Sequence, residues 1–178
     1  MVYVFLTDNF EEIEAFATVD ILRRAEISVT TVGVFNDTAC GAHGISVKAD
    51  KEFTDCAFDD AEALVLPGGM GSLDFLKHEG LCDLLKEKDQ KGILLAAICA
   101  APSVLGELGL LKGYTATCYP GFEDRLKGAS LSKERVCTDG KRITARGPGA
   151  SDLFAFSLIK ALRPAYNVDA LKASMQYE

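Results

Sequence analysis

Of the six cysteines in the chain, Cys99 stands in the setting that chemistry needs. A charged, glycine-marked turn at Lys91-Gly92 opens into Ile93-Leu94-Leu95-Ala96-Ala97-Ile98. A short apolar run of this kind reads as a strand buried on both faces. Pro102 suits the first turn of a helix and not a strand interior, so Cys99 falls where strand gives way to helix. Ala97 and Ala101, two positions away on either side, are small. That is the pattern of a sharp turn that lifts a nucleophile out of a sheet. Free N–H groups at the helix start would face the sulfur and favour thiolate over thiol. Taken alone, the same residue also fits a small core hydrophobe, because free cysteine is commonly buried.

Two other stretches could complete a site. Pro67-Gly68-Gly69 can turn its amides inward and, with the amide of Ala100, form an oxyanion hole; it also fits a plain tight turn. Glu14 lies one helical turn after Glu11. A carboxyl buried beside a thiolate would have a raised pKa and could donate a hydrogen bond to sulfur; in isolation Glu14 also reads as a solvated helix carboxylate. A metal cluster of Glu11, Glu12 and Glu14 lacks histidine partners, and no metal is expected. His43, in a hairpin region, and His78, in a polar helical segment, give no reason to expect a Cys–His pair.

These residues need elements to carry them. Val2–Leu6 reads as a first strand, and a cap-rich turn leads to a helix over Phe10–Ala25 with Ile13, Phe16, Ala17 and Ile21 facing inward. Ser28–Val34 is a second strand and Cys40–Lys48 a short hairpin. Glu62–Leu66 is a buried strand that stops at the glycines, and Leu73–Lys88 reads as a helix broken at Gly80. The strand before Cys99 is followed by a helix over Pro102–Leu111. Strands are expected at Thr115–Cys118, Glu134–Thr138 and Arg142–Thr144, then a last helix from Ser151 to about Leu162. Alternating strands and helices predict one doubly wound α/β domain over residues 1–178, a mostly parallel sheet covered on both faces. In such a sheet, ligands bind beyond the carboxyl ends of the strands, where Cys99, Gly68 and Glu14 converge.

Composition removes other classes. A net charge of −7 with no basic cluster argues against nucleic acid. The first βα turn is acidic and lacks glycine, and no Walker-type motif occurs, so no nucleotide cofactor is expected. Val2–Leu6 is too short for a signal peptide or membrane span, and no C-x-x-C pair exists. The cysteines therefore read as reduced thiols of a cytoplasmic protein.

Five stretches, in order and over nearly the whole chain, resemble the DJ-1/ThiJ/PfpI superfamily, nearest its small DJ-1-like branch. They are Glu11-Glu12-Ile13-Glu14, Val19–Ala25, Leu66-Pro67-Gly68-Gly69, Ala96–Pro102 and Arg146-Gly147-Pro148-Gly149. The resemblance implies a flavodoxin-like fold and a homodimer. It makes Cys99 the reactive cysteine, Glu14 its protonated partner, and Gly69 with Ala100 the backbone donors. It also places Arg24, at the end of the first helix, in the dimer interface, reaching toward the partner's site.

The departures bear on function. Peptidase-like members place histidine directly after the cysteine; Ala100 stands there, so proteolysis is not expected. Members credited with glyoxalase or deglycase activity often carry histidine where Thr117-Cys118-Tyr119-Pro120 has Tyr119. A phenol, which ionises near pH ~10, is a poor base at neutral pH. Cys118 adds a second thiol that could pair with Cys99 or be an unreactive strand-end cysteine. Two functions remain. One is an enzyme acting on methylglyoxal-type carbonyls or glycated protein through Cys99 and Glu14, without cofactor. The other is a redox sensor or chaperone whose Cys99 is oxidised to sulfinic acid.

Overall fold

The computed structural model describes residues 1–177. The strands are β1 (Val2–Leu6), β2 (Val29–Gly33), β3 (Thr38–Cys40), β4 (Ser46–Lys48), β5 (Lys51–Glu52) and β6 (Ala63–Leu66), followed by β7 (Leu94–Ile98), β8 (Thr115–Ala116), β9 (Ser130–Leu131), β10 (Val136–Asp139) and β11 (Arg142–Ala145). The helices are α1 (Glu12–Arg24), α2 (Glu79–Gln90), α3 (Pro102–Glu107), α4 (Ser151–Leu162) and α5 (Val168–Ser174).

Seven strands form the main sheet in the order β10-β11-β7-β6-β1-β2-β5, parallel except for the β10–β11 pair. The central strands β1, β6 and β7 are buried at every position. Their near-continuous apolar runs follow from this, because both faces are covered. Along β1, Val2 and Val4 point to one core with α1, α4 and α5, while Tyr3 and Phe5 point to the other with α2 and α3. This is the doubly wound, flavodoxin-like architecture expected. After β2 and β5 the chain crosses to the far side of β1, so the crevice between the ends of β1 and β6 is the switch point where such sheets bind ligands. No helix among the described residues is long and apolar enough to cross a membrane.

Several local expectations differ from the structure. The α1 core face is built by Glu14, Ala15, Thr18, Val19, Ile21 and Leu22; Ile13 is 57% exposed and Phe16 and Ala17 are half-buried. The apolar spacing misled because a carboxylate, not a hydrophobe, occupies the inward position. The helix expected over Leu73–Lys88 is 3₁₀ turns over Met70–Lys77 and then α2, divided at His78 rather than Gly80. His78 is the N-cap, its Nδ1 accepting the Leu81 N–H at 3.0 Å. Helix α3 ends at Glu107, short of Leu111. Gly109 takes φ +76° and the Leu110 N–H donates back to Leu105 O at 2.8 Å, a left-handed glycine stop. Strand β8 pairs with β9 in a separate small sheet instead of joining the main one.

Candidate active site

Cys99 closes β7 in a conformation that L-residues seldom adopt, with φ +67°. Such a residue costs roughly 1–3 kcal/mol and persists only where its surroundings hold it. Here both flanking peptides are fixed. The Cys99 N–H donates to Ala145 O at the end of β11, and Cys99 O accepts the Tyr119 N–H, each at 2.8 Å. The turn directs the side chain out of the sheet, where it is partly exposed.

The loop after β6 is stitched to the start of α1. The Glu11 N–H donates to Gly68 O at 3.0 Å, and the Gly68 N–H donates to Glu14 Oε2 at 2.8 Å. Glu11 caps α1 by accepting the Glu14 N–H at 2.7 Å. A Cβ on Gly68 would lie 2.5 Å from both Cys99 Cβ and Glu14 Oε2, so glycine is a steric requirement. Gly69 takes φ +97°, and a Cβ there would meet the Glu11 nitrogen at 2.6 Å. The Gly68 amide thus holds Glu14; it is not free as the oxyanion donor expected of it. The amides of Gly69 and Ala100 face the sulfur and lower its pKa.

Glu14 is 1% exposed, not a solvated helix carboxylate. Its second oxygen, Oε1, has no hydrogen-bond partner and lies on the Gly147 side, 4.0 Å from where a Cβ on that glycine would sit, while the carboxyl as a whole interacts with Cys99. Burial pushes the carboxyl up to about 7, against the lowering contact with Cys99 and with the charge of Glu11 adding to the rise. Burial and the adjacent Glu14 charge likewise push the Cys99 thiol up, to about 12. The six-residue α3 does not overcome that burial, so the thiolate expected from the helix start alone is not what the site favours. Each group opposes the other's ionisation, and the pair titrates as a unit. When Glu14 takes the thiol proton, the sulfur becomes a thiolate faced by the amides of Gly69 and Ala100.

The remaining residues divide. Tyr119 is 47% exposed and its ring covers Gly147, where a Cβ would sit 3.2 Å from Cδ2 and 4.0 Å from Glu14 Oε1. Cys118 is buried in the core on the α2–α3 face, whereas Cys99 packs against the opposite core; both thiols are free, and burial pushes Cys118 up to about 11. Arg24 pairs with Asp20 at 2.7 Å and lies ten residues along α1 from Glu14, about 15 Å by helical rise, outside its own chain's site. His43, unassigned by sequence, joins Glu12 through Nδ1 and Oε2 at 2.8 Å. Glu11, Glu12 and His43 gather ligand atoms within 4.8 Å of one another. The caps and turn just described already engage them.

The DJ-1/PfpI family model matches residues 1–161. The chain belongs to this family. It is 38% identical over 169 residues to Protein DJ-1 homolog A of Arabidopsis thaliana, covering 90% of this chain and only 42% of that longer protein. It is 30% identical over 157 residues to a protein of Pyrococcus abyssi named a deglycase, covering 87% and 93% of the two chains. A solved structure described as oxidized Toxoplasma gondii DJ-1 superposes with a TM-score of 0.94 at 34% identity, covering 99% of this chain and 97% of that one. The fold is that of the DJ-1 superfamily.

Proposed function

We propose that the protein detoxifies reactive carbonyls, converting methylglyoxal-type α-oxoaldehydes or removing early glycation adducts, through Cys99 and Glu14. The observation that carries this reading is the buried Glu14 carboxyl beside Cys99, held by the Gly68 amide on one oxygen and unpartnered on the other. A general acid–base with a pKa near neutrality suits proton transfer at physiological pH.

The ionised Glu14 carboxylate takes the Cys99 thiol proton as the sulfur attacks the aldehyde carbon, forming a C–S bond while the carbonyl π electrons move to oxygen. The amides of Gly69 and Ala100 stabilise that oxyanion, and Glu14 protonates it. Glu14 then moves the proton from the sulfur-bearing carbon to the neighbouring carbon through an enediol, while the hydroxyl proton passes from the first oxygen to the second, turning the hemithioacetal into a thioester of the 2-hydroxy acid. Water cleaves the thioester, releasing lactate and the thiol. The likeness to a deglycase-named protein supports carbonyl substrates. With neither histidine engaged at the site, turnover falls to Glu14, with Tyr119 at most an auxiliary.

A second reading is a redox sensor, favoured by the partly exposed free thiol beside a carboxyl able to donate to a sulfinate, and by the relative described as oxidized. In either reading the protein acts as a homodimer through α1, as the family resemblance implies.

Methylglyoxal consumption with lactate detection, in thiol-free buffer, tests the carbonyl reading. Wild type is expected to form many equivalents of lactate per protein and Cys99→Ser none. Loss of about one equivalent without lactate would replace it with the redox reading.

A further inference from the structure

The arginines of this chain are almost all spent on carboxylates. Arg23 holds Asp50, Arg24 Asp20, Arg125 Glu107, Arg142 Asp89 and Arg163 Glu62. Among the described residues, Arg135 and Arg146 alone lack a carboxylate partner, and both line one open groove of about 290 Å³. Tyr119, Pro120 and the Gly147–Ala150 loop complete its walls. In a chain with a net charge of −7, carboxylates are in surplus, so two neighbouring unpaired guanidinium groups mark a place kept open for an outside anion.

The groove adjoins the reacting groups. Its Gly147 wall is the position from which a Cβ would reach within 4.0 Å of Glu14 Oε1, and its Tyr119 wall hydrogen-bonds the Cys99 carbonyl. The walls are fixed before any ligand arrives. The Arg146 N–H donates to Arg135 O at 3.0 Å, and Arg135 Nη2 donates to Gly149 O. One guanidinium group is therefore partly engaged in bracing the loop, while that of Arg146 makes no side-chain hydrogen bond among the described residues. On the far side of Arg146, Lys133 and Glu123 line a second cavity, and the Glu123 carboxylate accepts the Gly121 N–H at 2.7 Å. A planar guanidinium with free donors matches a carboxylate or phosphate in bidentate fashion. The volume, about 290 Å³, lies at the small end of the range for small-molecule sites.

We infer that Arg146, supported by Arg135, is a specificity residue for an anionic group, so that the preferred carbonyl substrate is a small aldehyde bearing a carboxylate or phosphate beside its reacting carbon. The inference rests on Cys99 being the reacting group. It needs no turnover to be tested.

Alkylation of Cys99 by iodoacetate and by iodoacetamide, quantified by peptide mass mapping at one pH, gives a rate ratio that reads anion preference directly. Arg146→Gln is expected to lower that ratio about 3- to 5-fold, the size of one solvent-exposed ion pair. Lys160→Gln, which removes an equal charge from the exposed side of α4, is expected to leave it unchanged, as is the ratio at the exposed Cys40 in every variant. Protection of wild-type Cys99 by inorganic phosphate or by acetate then separates the two anion types. Equal falls in Arg146→Gln and Lys160→Gln, or no fall in either, overturn the inference. Normal methylglyoxal turnover beside an unchanged ratio sinks the groove alone. A lowered ratio without any turnover sinks the carbonyl reading and leaves the groove.

Discussion

Glu14 shows what one buried carboxyl does to a molecule. Its pKa is raised from 4.5 to about 7 by burial, so the folded protein holds a proton that the unfolded chain would release. Stability from that proton is fully present below about pH 4.5 and lost as the pH rises through about 7, a loss on the order of 3 kcal/mol. Glu14→Gln keeps the shape and removes the titration. Melting temperatures from pH 4.5 to 8 are expected to fall less steeply in the variant, so that its advantage over wild type grows with pH. Parallel curves would mean that Glu14 ionises in the fold as freely as in the unfolded chain. The same variant is expected to lose 10²- to 10⁴-fold in lactate formation, the usual size of a general acid–base contribution. From local sequence Glu14 is a polar residue on a helix; the resemblance gave it a role, and only the folded chain shows it buried beside Cys99 with one oxygen held by the Gly68 amide and the other unpartnered.

At the scale of elements, the strand-to-helix turn at Cys99 and the glycine stop after β6 were legible because punctuation residues fix them. Pro102, Gly68 and Gly69 leave the backbone few alternatives. What stayed illegible depends on tertiary contact. The inward face of α1 could not be read from apolar spacing once Glu14 occupied it, and nothing local decides that Met70–Lys77 winds as 3₁₀ turns. The Gly68 amide was likewise read as an oxyanion donor, because no sequence pattern shows which acceptor an amide will meet. Gly68→Ala tests the stitch between the two loops. Its Cβ would fall 2.5 Å from Cys99 Cβ and Glu14 Oε2 and 2.8 Å from Ile98 O, the last a backbone atom of the buried strand β7. The expected cost is about 1–3 kcal/mol of stability from overpacking, read as a lower denaturation midpoint. Displacement of Glu14 is also expected to suppress lactate formation. A variant with wild-type stability would show that the loop moves more easily than its hydrogen bonds imply.

The whole molecule was the most legible level, because alternating strands and helices admit few topologies, and the sheet order places the β1, β6 and β7 ends together. What lies outside one chain was reached only through resemblance, and it can be argued from exposure. Ile13 sits one residue before Glu14 yet is 57% exposed on α1, and Met70, next to the Gly69 donor, is 85% exposed. Large apolar side chains beside a reacting pair suit a surface that a second copy covers. If α1 is that interface, Ile13→Glu buries a charge without a partner on both sides of the two-fold at once, a cost doubled by symmetry. Sedimentation equilibrium is expected to show wild type at twice the chain mass and the variant at the chain mass, with unchanged far-ultraviolet circular dichroism. Arg24, about 15 Å from Glu14 in its own chain, could then act at a Cys99 only across that interface. A variant still at twice the chain mass would move the interface off α1 and leave Arg24 an ordinary surface arginine paired with Asp20.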